Sequence, residues 1–276
     1  MTGPLLEVRG VTLRFGGVTA IEGVSFDVAS KELLAVIGPN GAGKTSIFNC
    51  LNGVYRPQEG SIRFKGVEIV GKRPVAAAGL GIARTFQNLG LFPNLGLIDN
   101  LMLGRHQRSS TGFLAGALWL GKARREEVLN RGRCEEIVEL LALQPHRRSP
   151  VGLLPYGVQK RIELGRALAM EPDLLLLDEP VAGMNLEETE DIARAILEIM
   201  AELDLAMILV EHDMRLVMDL ADRVLVLDFG RVIAVGPPAA VQSDPRVIEA
   251  YLGRPGADGG GDGNAASAER PERRVS

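Results

Sequence analysis

The chain has 276 residues, of which 46% are hydrophobic and 24% charged, ordinary globular usage that excludes wholesale disorder and leaves room for a sizeable core. With 31 Lys and Arg against 35 Asp and Glu the net charge is -4, so the basic excess of a phosphate-backbone binder is missing and no nucleic acid is expected among the partners. Cys50 and Cys134 stand far apart with no C-x-x-C spacing, which argues against a disulfide framework or a zinc site and for a reducing compartment.

Residues 1–10 lack a charged lead followed by an apolar segment and a cleavage site, so the chain is expected to stay in the cytoplasm. Val11, Leu13 and Phe15 then alternate onto one face, as do Val24, Phe26 and Val28, and Ile62 and Phe64 repeat the pattern, predicting short antiparallel strands. Residues 33–37, 174–177 and 207–210 are instead continuous apolar runs, the pattern of parallel strands covered on both faces. Ile192, Ile196, Ile199 and Leu203 recur at helical spacing and form one apolar stripe. The predicted class is α/β.

Residues 89–166 show helical periodicity at Cys134, Ile137, Val138 and Leu141 and no buried-strand run, which predicts an inserted helical subdomain. Its apolar stretch 112–121, with Trp119, is about half the roughly 20 residues a spanning helix needs, so no bilayer crossing is expected. Lys122, Arg124 and Arg125 follow it. Two readings stand: a surface for membrane subunits or lipid headgroups, or a helix buried in its own subdomain. Residues 254–276 are rich in Gly, Pro, Ala and charge, with almost nothing large to bury, and a disordered tail is expected there.

Gly38-Pro39-Asn40-Gly41-Ala42-Gly43-Lys44-Thr45 fits G-x-x-x-x-G-K-[ST] directly after the buried run 33–37 and before a helix carrying Ile47, Phe48 and Leu51. Backbone N–H groups can turn inward around phosphate oxygens only where no Cβ intervenes, and the helix start adds a favourable dipole. Lys44 is expected on the β and γ oxygens and the Thr45 hydroxyl on Mg²⁺. The expected ligand is a nucleoside triphosphate, held by residues 38–46 with Ser46 closing the set. The run 174–177 ends in Asp178 and Glu179, at the edge where an α/β sheet offers side chains to ligands. Asp178 suits the metal; Glu179 points elsewhere, where it takes the proton of an attacking water or orients that water.

These motifs resemble the ATP-binding subunits of ABC transporters, and the resemblance covers nearly the whole chain through Gly253. Arg84-Thr85-Phe86-Gln87 looks like the family's Q-loop, and Leu154-Pro155-Tyr156-Gly157-Val158-Gln159 like its signature. Ala182-Gly183-Met184-Asn185 is similar to the D-loop, and Val210-Glu211-His212-Asp213 to the histidine switch. The subgroup most resembled is the ATPase subunits of branched-chain amino-acid importers. The resemblance implies a P-loop NTPase core of RecA-like type, with an N-terminal antiparallel β subdomain and the helical insertion, filling residues 1–253.

The resemblance also implies two ATPase subunits, identical or different, clasping ATP and Mg²⁺ head to tail, so that Tyr156 and Gly157 face the partner's nucleotide. Two membrane permeases and, indirectly, an external substrate-binding protein complete the implied assembly on the cytoplasmic face of the membrane. By the same resemblance His212 holds the attacking water, Gln87 touches Mg²⁺ or water, and Phe15 stacks on adenine. The alternative for Phe15 is a core-facing strand residue. Pro155 and Val158 depart from the common signature and remove polar groups, leaving the Gly157 N–H as its main expected donor; slower or more partner-dependent hydrolysis, rather than none, is expected. Urea or short amides are alternative cargoes, and a soluble ABC ATPase outside transport is the alternative class.

Overall fold

The run 33–37 is buried at every position because both of its faces are covered: Leu34 and Val36 enter one core on one face, and on the other Leu33 enters a second and Ala35 and Ile37 a third. The computed structural model describes residues 3–85, 89–106 and 121–252. Its strands in chain order are Leu6–Phe15 (β1), Val18–Val28 (β2), Leu33–Ile37 (β3), Glu59–Phe64 (β4), Val67–Glu68 (β5), Ile82–Arg84 (β6), Leu174–Asp178 (β7), Ala206–Val210 (β8), Arg223–Asp228 (β9) and Arg231–Gly236 (β10). The first sheet is antiparallel, in the order β2-β1-β4-β5; the second runs β10-β9-β3-β8-β7-β6 and is parallel except for β10.

Successive residues of a strand point to opposite faces, so an all-apolar strand feeds two cores at once. Leu174 and Leu176 join the antiparallel sheet and the helix Lys44–Leu51, whereas Leu175 and Leu177 join the helices Tyr156–Leu168 and Leu186–Glu202. At ~1.5–3 kcal/mol for each large side chain removed from water, these central strands anchor everything that carries chemistry. The stripe on Leu186–Glu202 buries Ile192, Ile196 and Ile199, while Leu203 ends outside the helix as its cap. Asn185 and Glu188 start that helix with a reciprocal capping box.

In β1 the shared face holds for Val11 and Leu13 but not for Phe15. The pairing with β2 slips between Leu13 and Arg14, and Phe15 emerges 47% exposed, edge-on to Tyr55 with ring centroids 5.0 Å apart. The core-facing alternative for Phe15 is therefore corrected.

Described residues between 89 and 166 form the helices Leu97–Arg105, Gly121–Leu140 and Tyr156–Leu168, with short 3-10 turns at Gln144–His146 and Val151–Leu153. Cys134 and Val138 pack there against Leu97, Leu101 and Ile162 in the second core. The expectations for residues 112–120, with Trp119, and for the tail 254–276 lie outside the described residues. Among the described residues no helix is long and apolar enough to cross a membrane.

Candidate nucleotide site

The chain leaves β3 at Gly38 and enters the helix Lys44–Leu51 at Gly43, both with positive φ, 150° and 105°. These glycines are sterically required. A Cβ at Gly38 would collide with the Leu227 carbonyl oxygen, and one at Gly43 would stand 2.7 Å from the Ala20 oxygen. Sheet and loop are thus packed so closely that only glycine passes, which leaves the loop's concave side as an open cavity.

That cavity has a volume of about 330 Å³ and is lined by residues 18–20 of β2, residues 40–46 of the loop and helix start, and Glu179 and His212. It lies within the usual range for small-ligand sites. The residues expected from the sequence at Asn40, Gly41, Ala42, Gly43, Lys44, Thr45 and Ser46 therefore meet Glu179 and His212 in one place. Its donor set includes a helix start, one ammonium and the hydroxyls of Thr19, Thr45 and Ser46, which suits a polyphosphate. Lys44 is buried and donates to the Gly38 and Pro39 carbonyl oxygens at 2.7 and 3.1 Å. Desolvation holds its ammonium below the ordinary lysine range, with the Glu179 carboxylate pulling the other way.

Glu179 directly follows β7, and its N–H donates to the Val210 carbonyl at 2.9 Å, extending the ladder with β8 by one residue. Its φ is +48°, a left-handed conformation that costs a non-glycine residue of order 1–3 kcal/mol and persists only where the surroundings enforce it. The twist aims the carboxylate at His212, whose Nε2 lies 2.8 Å from Glu179 Oε1.

Asp178 stands behind the cavity rather than on its wall. It is buried, and the Arg84 guanidinium donates to its Oδ2 at 2.6 Å while bonding Asn49 Oδ1 at 2.7 Å. Arg84 reaches it because β6 pairs in parallel with β7. Gln87 lies outside the described residues. Phe15 is exposed and is not among the residues lining the cavity. A larger groove of about 800 Å³, lined in part by Arg105, Arg133, Glu171 and Leu203, contains none of these groups.

Tyr156 and Gly157 open the helix Tyr156–Leu168, away from the cavity. Pro155 is the N-cap of that helix, with extended ψ of 151° and no side-chain cap bond. Val158 is buried in the second core, where an apolar side chain is what the site accepts. The Gly157 N–H, expected as the donor to a partner's phosphate, is already given to Glu188 Oε1 at 3.3 Å within the same chain. The Tyr156 hydroxyl likewise donates to the Ala182 carbonyl at 3.4 Å.

Two residues had no assigned role from the sequence. Arg84 gives no local signal, because its partner Asp178 is 94 positions away. Glu211 is only 3% exposed and accepts N–H groups from Val181 and His212. Its signal was a carboxylate between an apolar strand and a histidine.

Fold and site together define a phosphate-loop nucleotide-binding α/β protein. The family described as ABC transporter matches residues 21–182, and that described as branched-chain amino acid ATP-binding cassette transporter matches residues 231–257. The chain belongs to the ABC transporter ATP-binding family. It is 41% identical over 253 residues to the high-affinity branched-chain amino acid transport ATP-binding protein BraF of Pseudomonas aeruginosa, covering 92% of this chain and 99% of the relative. It is 38% identical to LivG of Escherichia coli, a protein of the same description, with the same coverage. Among solved structures, the ADP conformation of an ATP-binding cassette of an ABC transporter superposes with a TM-score of 0.79 at 30% identity, covering 92% of this chain and all of that one.

Proposed function

We propose that the chain is the ATP-hydrolysing subunit of an importer for branched-chain or related small amino acids. It works at the cytoplasmic face of the membrane with a second ATPase subunit, two permeases and, indirectly, an external binding protein. Residues 1–253 make up the ATPase domain, 89–166 its helical insertion and 254–276 its tail. The single observation that carries the reading is the 2.8 Å contact of Glu179 with His212 on the wall of the cavity that the phosphate loop also lines. The descriptions of BraF and LivG support the cargo.

In this reading the N–H groups of residues 40–46 and the Lys44 ammonium bind the phosphate chain, and Phe15 offers its exposed ring to adenine. Mg²⁺ would supply a Lewis acid that offsets phosphate charge, and Thr45, Asp178 and Gln87 are the residues we assign to hold it, which requires Asp178 to turn from Arg84 towards the cavity. Glu179 accepts a proton from the attacking water, and His212, hydrogen-bonded to that carboxylate, keeps it aimed. Tyr156 and Gly157 face the nucleotide of the second subunit, which requires Glu188 to release the Gly157 N–H. Because ATP binds the closed pair better than the open one, binding and hydrolysis move the pair between two shapes.

Cells lacking the chain are expected to lose uptake of labelled leucine, isoleucine or valine and to regain it from the wild-type gene but not from Glu179→Gln. Unchanged uptake in its absence contradicts the cargo.

A further inference from the structure

We infer that Glu211 is a positioning residue for hydrolysis: its buried carboxylate clamps the loop after β7 to the loop after β8 and thereby sets Glu179 against His212. The inference rests on the reading above, in which those two groups act on the attacking water.

The geometry is specific. Glu211 is the first residue beyond β8, and its Oε1 accepts the Val181 N–H at 3.1 Å while Oε2 accepts the His212 N–H at 3.0 Å. Val181 is two residues after Glu179, and His212 is the next residue after Glu211 itself. One side chain therefore grips both loops within two residues of the 2.8 Å contact between Glu179 and His212. Glu211 is 3% exposed and is not among the residues lining the cavity, so it acts through the others and not on substrate.

The strained backbone of Glu179 gives such a clamp a task. A residue at φ +48° relaxes unless its neighbours are held; the ladder bond to Val210 fixes the side before it, and the Ala182 N–H closes a turn on the Glu179 carbonyl at 3.2 Å. The Val181 N–H bond to Glu211 ties that turn to the loop after β8, which the turn's own bond does not do. A charged acceptor makes stronger bonds to N–H donors than a neutral one, and two oxygens on one rigid group hold two loops at a set separation. Burial pushes the Glu211 carboxyl up from its ordinary value; the N–H groups of Val181, His212 and Asp213 oppose that rise and the Glu179 charge adds to it. Keeping a carboxyl in so unfavourable a place accords with a positional task.

The test is a double-mutant cycle on the full chain, with ATP turnover and KM measured for wild type, Glu211→Gln, Glu179→Gln and the double variant. Glutamine keeps one acceptor oxygen but turns an NH₂ towards one of the two N–H donors, so one loop is released. Glu211→Gln is expected to lower kcat about 10- to 100-fold with KM for ATP within about twofold. In the Glu179→Gln background the same change is expected to cost less than about twofold, because the group it positions is already gone. Glu211→Asp, which retains both oxygens on a shorter arm, is expected to recover part of the loss. Equal losses in both backgrounds, or a raised KM at unchanged kcat, overturn the inference and leave the reading intact. A wild-type chain that hydrolyses no ATP overturns the reading, and the inference with it.

Discussion

Glu179→Gln is expected to slow phosphate release by about 100- to 10,000-fold, the usual worth of a positioned general base, while ATP affinity changes by less than about threefold. The substitution is close to isosteric, and a glutamine oxygen can still accept from His212 at the 2.8 Å separation seen for Glu179 Oε1. What is lost is the capacity to accept the water's proton. The left-handed backbone at φ +48° stays as it is, so the cavity keeps its shape. Because ATP is bound but not cut, the variant is expected to accumulate as an ATP-bound dimer, visible by light scattering. Turnover close to wild type, or a variant that stays monomeric while binding ATP, contradicts the role given to this carboxylate.

Lys44→Met has the second large effect, and its two parts have opposite signs. With the ammonium gone, about two charge-assisted bonds to phosphate are lost at ~1.5–3 kcal/mol each, which lowers ATP affinity roughly 100- to 10,000-fold. Stability of the nucleotide-free chain is expected to hold or rise. Lys44 is buried, and desolvation lowers its pKa in the folded state; a lysine so shifted subtracts stability wherever it is charged, and the penalty fades only as pH climbs from the folded value towards the ordinary one. At neutral pH methionine removes that penalty and keeps the apolar stem, offset in part by loss of the bonds to the Gly38 and Pro39 carbonyl oxygens. Thermal unfolding with and without ATP checks both parts: an unchanged Tm or a small rise without nucleotide, and loss of the ATP-induced rise. A variant still stabilised by ATP like the wild type contradicts the assignment of Lys44.

How far such a site can be read from residues alone depends on how local the physics is. The strands Leu33–Ile37, Leu174–Asp178 and Ala206–Val210 were legible because covering both faces leaves no place for a polar residue before the last position of the run, where Asp178 stands at the sheet's edge. The phosphate loop was legible because its backbone angles admit only glycine at Gly38 and Gly43. Phe15 was misread in one alternative, since a slip in pairing with β2 turns the strand end outward and leaves no mark in the alternation. β9 and β10 were not anticipated; β10 is only partly buried along its length, so neither periodicity is clear.

Long-range side-chain pairing was the least legible layer. The bond from Gly157 to Glu188 joins positions 31 apart, and that from Arg84 to Asp178 joins positions 94 apart. Nothing in either local segment names its partner. Val158 looked like a lost polar group in the signature, yet its burial in the second core makes it a packing residue. For the same reason Glu211 could be quoted inside a motif without a task, since its oxygens bond the N–H of Val181 across the sheet edge.

The most direct measurement is a calorimetric titration of the purified full-length chain with ATP in the presence of Mg²⁺. Saturable binding of one nucleotide per chain, abolished by Lys44→Met and preserved by Glu179→Gln, is the predicted result. A wild-type chain that takes up no nucleotide under those conditions contradicts the account at its root.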